Sequence, residues 1–213
     1  ALMAFSLAAC SQLDVIGNGS IESFSAVLDA VAEKVSFDEA TGGWSLAAPD
    51  GAARFIWSKD ASASPRYDIM LELDARPFLD AGLDTEKLPE DILFTGDKLR
   101  VGADLGDAAF KYDGEATALA SYQQIVDRYR LALSYHMALE HYSLSLENGN
   151  LFEWAKDMRA NDQDIVFALN PEPFIQAGVD PNAVAGWTLA KVPVHAHGGS
   201  TEVEKLLKSF DLQ

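Results

Sequence analysis

The chain has 213 residues, of which 48% are apolar and 23% charged, enough apolar side chain for a sizeable core in one or two domains. Acid dominates, and the formal net charge of −17 opposes binding to nucleic acid or to an anionic membrane surface. The acid is scattered in ones and twos, so it reads as a solvated surface, and no run has the spacing of a calcium loop.

Ala1 to Ala9 is apolar except for Ser6 and runs into Leu7-Ala8-Ala9-Cys10. Cys10 is the only cysteine, which excludes an internal disulfide framework and a cysteine-based zinc cluster. The segment resembles the lipobox of bacterial lipoprotein signal peptides, a Leu and small residues ending in Cys, and all four positions match. The resemblance covers this segment alone. It implies cleavage before Cys10, a diacylglycerol on its sulfur and, in many bacteria, an acyl chain on its new amine. The mature chain would then be held at an envelope membrane by lipid. Residue 11 is Ser and not Asp, which in that family favours the outer membrane of a two-membrane bacterium. Nine apolar residues are too few to cross a bilayer. The lack of a Met and of a basic n-region fits a signal peptide that begins upstream. Residues 1–9 are therefore expected to be signal peptide. Residues 10–19 are expected to be a lipidated tether, with Gly17-Asn18-Gly19 as its joint.

Beyond the tether the chain repeats itself. Ile21, Phe24, Val27, Leu28 and Val31 carry the spacing of an amphipathic helix, and Leu119, Tyr122, Ile125, Val126 and Tyr129 carry it again. Ser36-Phe37 and Ser134-Tyr135 follow. A hairpin is expected around Pro49-Asp50-Gly51, between Trp44–Leu46 and Phe55–Trp57, and around Glu147-Asn148-Gly149, between Tyr142–Leu144 and Leu151–Trp154. Strands are expected at Tyr67–Leu73 and Gln163–Leu169. Pro77-Phe78-Leu79-Asp80-Ala81-Gly82 and Pro173-Phe174-Ile175-Gln176-Ala177-Gly178 each predict a short helix. Late strands follow at Ile92–Phe94 and Leu99–Val101, then at Trp187–Leu189 and Val192–His195. Thr201-x-x-Glu204 has the form of a capping box, and Val203, Leu206, Leu207 and Phe210 behind it predict a C-terminal helix. The offset between copies stays near 97 residues, which marks a tandem duplication.

The fold class expected from this pattern is α+β. Each copy, residues 20–113 and 114–213, would be one amphipathic helix and an antiparallel sheet of four or five strands, with the extra helix at the end. A pseudo-twofold pair packed together suits the short linker Asp107–Glu115.

No catalytic residue emerges. There is no Gly-x-Ser-x-Gly elbow, phosphate-cradling loop or His-Glu-x-x-His run. The repeated aromatics Trp57, Phe78, Trp154 and Phe174 fit core packing first, because a shared fold needs shared core residues, and a ligand-lining role second. The histidines His136, His141, His195 and His197 all fall in the second copy. His195 and His197, if on a strand, would share a face as metal ligands do, where the first copy has Leu99 and Val101 at an offset of 96. Exposed strand histidines are the plainer alternative. No cofactor is implied. The expected role is an acidic extracytoplasmic lipoprotein that binds without catalysis. Its partner would be a membrane through Cys10, and beyond that a lipid, a peptide or an envelope protein. Alternatives are an assembly protein acting through protein contacts, or a metal-binding protein using the histidines.

Overall fold

A computed structural model describes residues 35–38, 43–58, 69–102, 133–136, 140–145, 149–155, 164–196 and 199–211. Alternation drives the first sheet: Trp44, Leu46, Phe55, Trp57, Ile69, Leu71 and Leu73 fall at every second position, so pleating sends them to one face. The strands are β1 (Val35–Asp38), β2 (Gly43–Ala47), β3 (Ala53–Ser58), β4 (Ile69–Asp74), β5 (Ile92–Phe94) and β6 (Lys98–Val101). They pair antiparallel in the order β1-β2-β3-β4-β6-β5. The second half gives β7 (Leu133–His136), β8 (His141–Ser145), β9 (Leu151–Ala155), β10 (Ile165–Leu169), β11 (Thr188–Ala196) and β12 (Gly199–Phe210). Their order, read from the β7 edge, is β7-β8-β9-β10-β12-β11, the same topology. Register repeats too. Leu46 faces Phe55 as Leu144 faces Phe152, and Trp57 faces Ile69 as Trp154 faces Ile165. The chain contains an internal repeat.

Several expected elements stand. The turn at Asp50-Gly51 closes β2 on β3, with Gly51 at φ +72°, where glycine alone is unstrained. The Pro-Phe segments form α1 (Arg76–Asp80) and α2 (Glu172–Gln176), each with Pro in its first turn. A 3-10 turn, Thr85–Lys87, follows α1, and the Asp84 carboxylate accepts from Glu86 N at its start. Asp180 accepts from Asn182 N in the second copy.

The α+β class is overturned. Among the described residues each copy is a six-stranded antiparallel sheet, not four or five strands, and the only α-helices are the two five-residue turns of helix. The amphipathic stripes at 21–31 and 119–129 lie outside the described residues. The expected C-terminal helix is strand β12, hydrogen-bonded to β10 on one side and β11 on the other. The two late strands expected in the second copy are one, β11.

The sheets meet face to face in one continuous core that draws on both halves. Phe55 stacks on Phe152 with ring centres 3.8 Å apart, and Phe78 meets Phe174 at 4.8 Å. On the far face of the first sheet Ile56 and Met70 are fully buried as well.

Candidate functional site

The seam between the copies is a pseudo-twofold contact. Asp84 N donates to Ala177 O at 2.8 Å, and Asp180 N donates to Ala81 O at 2.9 Å. Between these bonds Gly82 and Gly178 lie against one another with φ of +106° and +96°. Each chain bend ends a short helix at a left-handed glycine, which lets two backbones approach without a Cβ between them. One further link is not symmetric. Lys208, nearly buried, reaches Asp50 of the first copy at 3.0 Å and lies 5.9 Å from the centre of the Trp187 ring. The position matching Lys208 in the first copy is Val101, because Phe167 faces Lys208 as Leu71 faces Val101. Asp50 is held below the usual carboxylate range, chiefly by the Ala52 N–H, against some burial, with Lys208 adding to it.

The four repeated aromatics all sit in this core. Trp57, Trp154 and Phe78 are fully buried and Phe174 is 1% exposed. Trp57 packs on Phe55, Trp154 on Phe152 and Tyr142, and Phe78 on Phe174 and Trp187. Among the described residues a groove of about 300 Å³ opens at the seam, lined by Lys87, Pro89, Asp91, Asn170, Glu172, Pro173 and Gln176. Five of these seven residues are charged or carry an amide, and the two prolines add apolar surface.

Among the described residues the histidines fall at two separate places. His136 and His141 are cross-strand register partners on β7 and β8, at one edge of the second sheet. His141 Nδ1 lies 3.9 Å from Glu153 Oε2. His195 is in β11, at the opposite edge. His197, like Cys10, lies outside the described residues. Among the described residues no group of three or more His, Cys, Asp or Glu side chains is placed to hold a metal ion. Leu99 and Val101 are also not the counterparts of His195 and His197. Leu73 faces Leu99 as Leu169 faces Leu206, so the matching position is Leu206.

That register exposes an insertion. Phe94 faces Leu99 in the first copy and Leu189 faces Leu206 in the second. The offset is 95 on one strand and 107 on the other, so the second hairpin is longer by twelve residues. The extra length is an arm running from Ala190 paired with Lys205 to Ala196 paired with Gly199. Lys191, Pro193 and Thr201 to Glu204 are exposed along it. Val203 is 39% exposed, one of two large apolar side chains so placed among the described residues. Lys205, at its base, is buried and donates to Gly149 O, and burial pushes its ammonium below the usual range. Reading Thr201-x-x-Glu204 as a helix cap hid this arm. The usable signal was the alternation of Thr201 and Val203 with Glu202 and Glu204.

The far face of the first sheet carries a second feature that local motifs do not reveal. Glu72, 7% exposed, accepts from Arg54 Nε at 2.8 Å on one oxygen and from Arg100 Nε at 2.9 Å on the other. Asp74 and Lys98 pair beside it, and that bond holds the Lys98 ammonium above its ordinary range. In the second copy the same three register positions are Leu151, Ala168 and Leu207.

No helix among the described residues is long and apolar enough to cross a membrane. No protein-family model, curated protein or solved structure matches the chain.

Proposed function

We propose that this chain is a bacterial envelope lipoprotein, anchored by lipid on Cys10, that binds an envelope protein and catalyses nothing. The observation that carries the partner half of this reading is the β11–β12 arm, a hairpin reaching past a core that is already filled. Ring-on-ring contact between Phe55 and Phe152 leaves no room there for a lipid between the sheets. An isolated two-stranded ribbon is marginal in water, so an arm of this length suits a surface that a partner completes. The lipobox supports the anchor half, and the outer membrane is the expected address in a two-membrane organism. The metal-binding alternative gains no support from a register that sets His136 and His195 at opposite sheet edges.

Two measurements test this. Replacing Cys10→Ser should abolish incorporation of labelled fatty acid into the protein and block removal of residues 1–9, since the lipid is attached to that sulfur. Unchanged labelling, or a parent that takes up no label, would exclude it. Native mass spectrometry of the parent from its own envelope should find a complex with another protein. A lone chain carrying an internal lipid would instead restore the carrier reading.

A further inference from the structure

We propose that the open edge of β12, Gly199–Lys205, takes up an extended segment of a second protein, one that alternates basic and apolar side chains. The inference rests on the partner-binding reading above and names the edge and the chemistry. β12 has β11 on one side from Gly199 to Leu207. On its other side β10 ends at Leu169, facing Leu206, and Pro171 turns the chain into α2. Seven residues of β12 therefore continue past the end of their neighbour, about 23 Å of strand with one edge unpaired among the described residues. A segment laid there would prolong the line of β10 and gain its backbone hydrogen bonds from the start.

The two free edges of the arm differ. On β11, Lys191 and Pro193 are both exposed, and lysine and proline are the residues that guard an edge against pairing. Between Gly199 and Glu204, β12 carries neither. It has the β-branched Thr201 and Val203 on one face and Glu202 and Glu204 on the other, all exposed. Lys191 faces Glu204 across the ladder, but Glu202 faces Pro193 and has no cationic register partner. A guest strand that sets basic side chains beside the glutamates and apolar ones beside Val203 matches both faces. The net charge of −17 weighs against a second copy of this chain and against an anionic lipid surface, and it draws a cationic segment in.

The probe is an acetylated peptide of about ten residues alternating lysine and valine, with a glutamate–valine peptide as control. Titration against the full chain should show the basic peptide binding, more weakly as salt rises. Two variants localise it. In one, residues 190–205 are replaced by the four residues that close the shorter hairpin of the first copy, Thr95–Lys98. In the other, Glu202→Lys and Glu204→Lys are combined, which leaves the arm in place. Each should weaken the basic peptide by about tenfold or more, with the melting temperature unchanged. The proposal is overturned if the basic peptide does not bind, if the acidic peptide binds equally, or if the charge-reversed chain binds the basic peptide as the parent does. It is also overturned if the parent dimerises through the arm in sedimentation, since the occupant is then a second copy. A native complex that survives trimming of the arm would sink this inference and leave the partner reading intact. Absence of any complex would sink the partner reading itself.

Discussion

Gly82→Ala should lower stability by about 3 kcal/mol or more, and Gly178→Ala by a similar amount, because both place a methyl group in the same gap. A Cβ on Gly82 would stand 2.7 Å from Gly178 O, and one on Gly178 would stand 2.9 Å from Gly82 O. Both obstacles are backbone, so no rotamer change relieves them. The left-handed φ of each residue adds strain of its own. Relief requires the two loops to part, which stretches the bonds Asp84 N to Ala177 O and Asp180 N to Ala81 O. For a chain of this size the expected fall in Tm is about 6–12 °C. Gly51→Ala is the internal control: its φ is also positive, at +72°, but nothing lies within 4 Å of the added carbon. It should lose only the strain, about 1 kcal/mol. The double variant at 82 and 178 should lose less than the sum of the two, since the first methyl already opens the seam. A loss at Gly82 no larger than at Gly51 would mean that the copies do not touch there in solution.

Glu72→Ala should cost about 3 kcal/mol, because it removes the carboxylate to which two guanidinium groups, only 27% and 19% exposed, both donate. Replacing the whole trio, Arg54→Leu with Glu72→Ala and Arg100→Leu, should return stability to within about 1 kcal/mol of the parent. The expectation comes from within the molecule, for the second sheet holds Leu151, Ala168 and Leu207 at those positions on an equivalent backbone. The two proteins should part company in acid. Burial of Glu72 opposes its ionisation, but the hydrogen bonds and charges of Arg54 and Arg100 outweigh it and hold the carboxyl below its ordinary 4.5. The folded state therefore binds this proton less readily than the unfolded chain. The stabilisation is fully present above pH 4.5 and is lost as pH falls through the lower folded-state value. Urea midpoints measured from neutral pH down to about 3 should fall faster for the parent than for the triple variant. Parallel curves would mean that Glu72 is not ion-paired when folded.

Much of this fold was legible in the sequence, and the failures have physical causes. Strands β2 to β4 and β8 to β10 show themselves because one face is strongly apolar and an Asp-Gly or Asn-Gly pair marks the first turn of each set. β12 does not. Its core-facing positions are Leu206, Lys208 and Phe210, and Lys208, 8% exposed, sends its ammonium to Asp50, while Leu207 lies on the other face. A lysine in the core-facing row and a leucine in the other row break the period-2 signal. What remains, Val203, Leu206, Leu207 and Phe210, satisfies the helical spacing instead. The same error hid the candidate site. A constant offset of 96 placed Leu99 and Val101 beside His195 and His197, whereas a twelve-residue insertion had already shifted the register. Repeats locate an insertion only when an identity stands on each side of it, and here leucine opposite leucine was too common to notice. The seam and the Arg54–Glu72–Arg100 trio were out of reach for another reason. They depend on which strands become neighbours, which local pattern does not encode.

The face-to-face fit of the halves has a further consequence for how this molecule can change. In an assembly of two identical chains, any substitution at a self-matched contact is made twice, and its penalty is doubled. Here the matching surfaces belong to one polypeptide, and each is written separately. Lysine could stand at 208 while valine stands at 101, with Asp50 answering on one side only. One sheet could take a charged trio and the other an apolar one, and a single hairpin could lengthen without a symmetric twin to collide with. Covalent linkage gives a symmetric scaffold room to become lopsided, with one half left to hold the shape.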